Sequence, residues 1–86
     1  MIITKKTWPE LFEKLLSGEK TFDCRIADFE VHPGDVIVFK EYDPEKKSYT
    51  GRTLRKTITF VGKTKEWKFF KPEDIEKFGY VIMSLK

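Results

Sequence analysis

The chain has 86 residues, a net charge of +3 and one cysteine. That length suits a single domain spanning residues 1–86 that buries about 60–65% of its unfolded surface. Eight Phe, three Tyr and two Trp within a 40% hydrophobic composition exclude a disordered chain. The lone Cys24 excludes an internal disulfide framework, and together with the lone His32 it excludes a Cys/His zinc site.

Ile2-Ile3-Thr4 reads as a short opening strand. Thr7-Trp8-Pro9-Glu10 has the form of a capping box, with Thr7 as cap and Pro9 in the first turn. Trp8, Leu11, Phe12, Leu15 and Leu16 then make one stripe of an amphipathic helix, which Gly18 is placed to end. Beyond Gly18 the period becomes two. Phe22, Cys24 and Ile26 share the apolar face of a strand, which makes Cys24 a buried thiol, while Thr21, Asp23 and Arg25 share the other face.

Residues 27–31 read as one turn of helix or an irregular loop. His32-Pro33-Gly34-Asp35 is a tight turn fixed by Asp35, and it leads into a strand over Val36–Tyr42. Residues 43–51 read as the polar tip of a hairpin. The returning strand, Arg52–Val61, is expected to turn Leu54, Ile58 and Phe60 inward and Thr53, Arg55, Thr57 and Thr59 outward. Residues 62–71 fit no single element. Pro72–Phe78 reads as a short helix and Tyr80–Leu85 as a closing strand. The order gives an α+β fold: a small barrel of five to six strands with an N-terminal helix and a short late helix.

The charge is unevenly placed. Lys46 to Lys71 holds nine cations against Glu66 alone, a net +8, and the rest of the chain carries −5. A basic half on a near-neutral protein suits a nucleic-acid binder, although a solvated Lys-rich surface would look the same. Charged residues make up 36% of the chain, and neither Asn nor Gln occurs. That composition is expected of a thermophile protein. No apolar run is long enough for a membrane helix or a signal peptide, so a cytoplasmic protein with no membrane partner is expected.

The densest candidate site is Gly18-Glu19-Lys20-Thr21-Phe22-Asp23-Cys24-Arg25. Lys20 falls in the turn after the helix, and Asp23 and Arg25 share a strand face about 7 Å apart along the backbone. A lysine, a carboxylate and a guanidinium together can hold a phosphate or amide-bearing ligand, or tune a lysine for chemistry. The plainer reading is an ordinary ion pair on a strand. A second candidate runs from Lys63 to Lys71. There Lys65, Trp67 and Lys68 interleave cations with a ring, a pattern suited to single-stranded RNA. Phe69 and Phe70 are assigned to the core. Arg52 and Arg55 are candidate phosphate contacts. Tyr42 and Tyr49 either stack on a base or pack on each other across the hairpin.

The pattern Gly18-x-Lys20-x-x-Asp23-x-Arg25 resembles the G-x-K-x-x-[E/D]-x-R signature of ASCH domains, small β-barrels of the PUA-like superfamily. The helix-to-Ser17-Gly18-Glu19-Lys20-Thr21 entry is similar to the DUF3850 branch of that superfamily. So are Val31-x-x-Gly34-Asp35, Glu41-Tyr42-Asp43-Pro44, Tyr49-Thr50-Gly51-Arg52 and Gly79-Tyr80-Val81-Ile82. The resemblance runs from Trp8 to Leu85. It implies a PUA-like barrel with RNA or a nucleotide bound in a cleft lined by Lys20, Asp23 and Arg25. With one Cys and one His, no metal is expected, nor any cofactor. Some ASCH proteins are amidohydrolases that deacetylate N4-acetylcytidine. Lys20 matches their lysine, which would make Lys20 and Asp23 catalytic. Those enzymes carry threonine where this chain has Asp23. They also use a later glutamate, for which Glu66 and Glu73 are the candidates. A lysine paired with Asp23 is poorly suited to act as base or nucleophile.

Overall fold

The chain's most continuous run of alternating side chains, Val36–Asp43, forms the second strand of a curled five-stranded sheet in the computed structural model, which describes residues 1–68, 71–77 and 79–86. The elements follow as β1 (Ile2–Thr7), α1 (Pro9–Ser17), β2 (Phe22–Ile26), β3 (Val36–Asp43), β4 (Ser48–Lys63), a 3-10 turn (Thr64–Glu66), α2 (Pro72–Ile75) and β5 (Tyr80–Leu85). The fold is α+β. The sheet order is β1-β3-β4-β5-β2; β1 and β3 are parallel, and every other pair is antiparallel. The two edge strands are therefore β1 and β2, which lie on either side of α1 in sequence.

The concave face of the sheet holds Ile37 and Phe39 from β3, Ile58 from β4, and Val81 and Met83 from β5, all fully buried. Helix α1 covers this face with Phe12 and Leu15 only; Trp8, Leu11 and Leu16 stay about half-exposed. Phe12 and Leu15 lie three positions apart on one ridge of the helix, and only that ridge of the expected five-residue stripe meets the sheet. Its start also differs from the expected capping box. Trp8 is the N-cap, with no side-chain cap bond, and Thr7 is the buried last residue of β1. Its end is as expected: Gly18 adopts φ 83°, the left-handed conformation that costs a residue with a Cβ most.

Two strand faces correct the sequence reading. On β2 the alternation is as expected but its sense is reversed. Asp23 is buried, whereas Phe22, Cys24 and Ile26 are exposed. The register explains it: Asp23 lies opposite Met83 and Arg25 opposite Val81, so these polar residues share the concave side with the core. On β4, Leu54 and Ile58 turn inward as expected, but Phe60 is exposed. A register shift between Ile58 and Phe60 adds one residue there and reverses the side-chain phase. The hairpin tip is shorter than residues 43–51, since β4 already begins at Ser48. Asp35 fixes the preceding turn by accepting the His32 amide at 2.8 Å. Its carboxyl is held below the usual range, first by that hydrogen bond. Among the described residues no helix is long and apolar enough to cross a membrane.

Candidate functional site at the sheet seam

The site forms where the two sheet edges approach each other, and the end of α1 supplies one of its key residues. After the left-handed Gly18 the chain folds back, and the Lys20 amide donates to the Lys14 carbonyl at 3.0 Å. This fixes Lys20 just before β2. Its ammonium donates to the Phe22 carbonyl at 2.6 Å and lies 3.6 Å from Asp23 Oδ1. Asp23 Oδ2 accepts from Arg25 Nε at 2.6 Å. The same guanidinium reaches across the seam, where Nη2 donates to the Lys6 carbonyl at 3.2 Å and the Thr7 hydroxyl at 3.4 Å. Arg25 thus ties β2 to β1, the two edges the backbone ladder leaves unjoined.

Beside this network is a pocket of about 350 Å³. Lys6 and Thr7 of β1, Trp8 and Leu11 of α1's first turn, Lys20, and Phe22 to Arg25 line it. That volume lies near the lower bound for small-molecule sites, which span about 300–1,000 Å³. Three cations and one carboxylate face it, so its field favours an anion. Among the described residues the Arg25 guanidinium donates from Nε and Nη2, and Nη1 makes no hydrogen bond to protein. The Asp23 carboxylate, 8% exposed along its side chain, is a fixed acceptor held between two cations. Among the described residues, no group of three or more His, Cys, Asp or Glu side chains is placed to hold a metal ion.

The structure brings Lys20, Asp23 and Arg25 together and disperses the other sequence candidates. Arg52 is bound within the protein. Its Nε and Nη2 donate to both oxygens of Glu41 at 2.9 and 2.8 Å, it also pairs with Glu13, and it lies 4.9 Å from the Phe12 ring centroid. The arrangement fastens α1 to the β3–β4 hairpin. Glu41 is buried and also accepts the Thr50 hydroxyl at 2.6 Å. Hydrogen bonds from Arg52, then Thr50, hold its carboxyl down at about 2, while Arg52 itself is raised.

Arg55 points outward on β4. Lys65 lies in the 3-10 turn, Lys68 is exposed, and Trp67 is half-buried over Gly62. None of these lines the seam pocket. The segment around Trp67 is a turn and not a strand. The late helix ends at Ile75 and not at Phe78, with Glu76 and Lys77 already beyond it, and the core assignments of Phe69 and Phe70 fall outside the described residues.

Sequence reasoning missed Lys6, Thr7, Trp8, Leu11 and Phe22 as pocket residues and Glu41 as a buried anchor. One signal was present: Glu41 continues the inward series Ile37, Phe39.

The family model for DUF3850, a domain of unknown function, matches residues 4–85, which includes every residue of the seam network. The chain belongs to the DUF3850 family. No match is found among curated proteins. Family membership covers both edges of the seam and the hairpin that Arg52 anchors, so the pocket is formed wholly within the DUF3850 domain.

Proposed function

We propose that this DUF3850 protein binds RNA or a nucleotide in the seam pocket and that its curled sheet is an ASCH-type barrel of the PUA-like superfamily. One observation carries the reading: a buried Asp23 held by Lys20 and Arg25 at the wall of a net-positive pocket bordered by the exposed rings of Trp8 and Phe22. Such a combination suits a nucleotide. Cations meet the phosphate, aromatic rings meet the base, and a fixed carboxylate accepts from an exocyclic amine. The Gly18-x-Lys20-x-x-Asp23-x-Arg25 pattern supports the superfamily assignment.

The amidohydrolase reading would use the same pocket with Lys20 at its centre. The geometry favours binding. The Lys20 ammonium is engaged by the Phe22 carbonyl and Asp23, and Asp23 is the only carboxylate among the described lining residues. Neither Glu66 nor Glu73 lines it. Incubation with N4-acetylcytidine distinguishes the two. Acetate release that Lys20→Ala abolishes would establish the enzyme, and an unchanged nucleoside that nevertheless binds supports the module. Titration with the four ribonucleoside monophosphates tests binding itself, with Lys20→Ala and Arg25→Ala expected to weaken it.

A further inference from the structure

The convex face of β1, β3 and β4 carries a second cluster, on the opposite side of the sheet from the core. With Ile37, Phe39 and Glu41 turned inward, β3 directs Val38, Lys40 and Tyr42 outward. The register places Lys6 of β1 beside Lys40, Arg55 of β4 beside Val38, and Tyr49 beside Tyr42. The two tyrosine rings meet edge to face, with centroids 5.1 Å apart. The Lys6 ammonium lies 4.1 Å from the Tyr42 centroid and that of Lys40 4.6 Å from Tyr49. Tyr49 is 51% exposed. Among the described residues Lys6, Lys40 and Arg55 have no carboxylate partner, and the outward positions of these three strands up to the hairpin carry no Asp or Glu.

We propose that this face is a platform for single-stranded nucleic acid, separate from the seam pocket and joined to it through Lys6. The chemistry is specific to such a chain. Three cations without a carboxylate partner and no acid complement a run of phosphates, and the exposed Tyr49 ring beside the half-buried Tyr42 suits bases that are free of a duplex. The lysines over the rings do not block it. An exposed cation–π contact is weaker than base–aromatic stacking, so a base displaces the ammonium, which then meets the adjacent phosphate. Lys6 also lines the seam pocket, so a strand with one nucleotide in the pocket continues over Lys6 onto Tyr42 and Tyr49. The path of the strand rests on the pocket reading; the platform itself does not.

The test compares uridine monophosphate with an oligouridine of about eight nucleotides, within the usual site size of a single-strand binder. The isotope-labelled protein is followed by NMR. The octamer should bind at least about tenfold tighter than the mononucleotide and shift Lys6, Lys40, Tyr42, Tyr49 and Arg55. Tyr49→Ala should weaken the octamer by about tenfold, the scale of one lost stack, and leave the mononucleotide unchanged. Arg55→Glu, at an exposed and unpaired position, should weaken the octamer in the same way without a packing change. Three phosphate contacts predict a roughly 20-fold loss of octamer affinity between about 50 and 200 mM salt.

An octamer that binds no tighter than the mononucleotide, or tighter with these residues silent, overturns the platform and leaves the pocket reading standing. Octamer-induced shifts on this face without any mononucleotide binding support the platform and remove the pocket reading. A deoxyribose octamer is run beside the RNA, and equal affinity supports a platform built on phosphate and stacking alone.

Discussion

Replacing Arg25 removes the only side chain seen to bridge the two sheet edges among the described residues, and its cost follows from three hydrogen bonds. The bond to Asp23 is short and charge-assisted at 2.6 Å, and the two to β1 are longer at 3.2 and 3.4 Å. A hydrogen bond to a charged group is worth about 1.5–3 kcal/mol net, and each of the longer, partly exposed ones about 1 kcal/mol or less. Arg25→Ala should therefore destabilise the protein by roughly 2–4 kcal/mol, leaving Asp23 with Lys20 alone. For a domain of this size each kcal/mol moves Tm by about 4–8 °C, so thermal unfolding by circular dichroism should report a fall of roughly 8–30 °C. Arg25→Lys keeps a charge beside Asp23 but lacks the second arm that reaches β1, and should lose about 1–2 kcal/mol. Amide exchange at the end of β1 should quicken in both variants. An alanine variant within about 0.5 kcal/mol of wild type, the range of an ordinary surface change, would refute the bridging role.

Two further variants probe the frame of the site. The Glu41 carboxyl is held near 2, below its ordinary 4.5, first by hydrogen bonds from Arg52 and then from Thr50. Its ionised form therefore stabilises the fold above about pH 4.5, and that contribution is lost as pH falls toward 2. Glu41→Gln should be less stable than wild type near neutral pH, with a gap that narrows through this window; a gap independent of pH would contradict the linkage. At Gly62 an added Cβ would lie 2.5 Å from Trp67 Cζ2 and 3.2 Å from Cη2. Gly62→Ala should thus displace the indole, cost about 1–3 kcal/mol and shift Trp67 fluorescence, read in a Trp8→Phe background. Unchanged emission and Tm would contradict the packing.

The elements were legible where local rules govern them. Gly18 ends α1 because of its backbone freedom, and the β3 alternation places Ile37 and Phe39 in the core. The Lys20, Asp23 and Arg25 grouping was legible from spacing, since one short turn and two strand positions bring the three together. What escaped depends on contacts distant in sequence. Thr7 looks like a helix cap, yet it ends β1, where Arg25 of β2 reaches its hydroxyl. The inward face of β2 is decided by its pairing with β5, not by its own hydrophobicity, so Asp23 is buried and Phe22 and Cys24 are not. Phe60 turns outward because of one extra residue in the β4–β5 ladder, which alternation alone cannot reveal. Arg52 looked free to meet phosphate because Glu41, its buried partner, lies eleven positions away across a hairpin bulge.

The seam pocket as a nucleotide site is tested most directly by NMR titration of the wild-type protein with the four ribonucleoside monophosphates. The pocket geometry predicts saturable shifts concentrated at Gly18–Arg25 and at Thr7, Trp8 and Leu11, lost in Lys20→Ala and Arg25→Ala variants that remain folded. Shifts scattered over the surface lysines, or none at millimolar nucleotide, would contradict it.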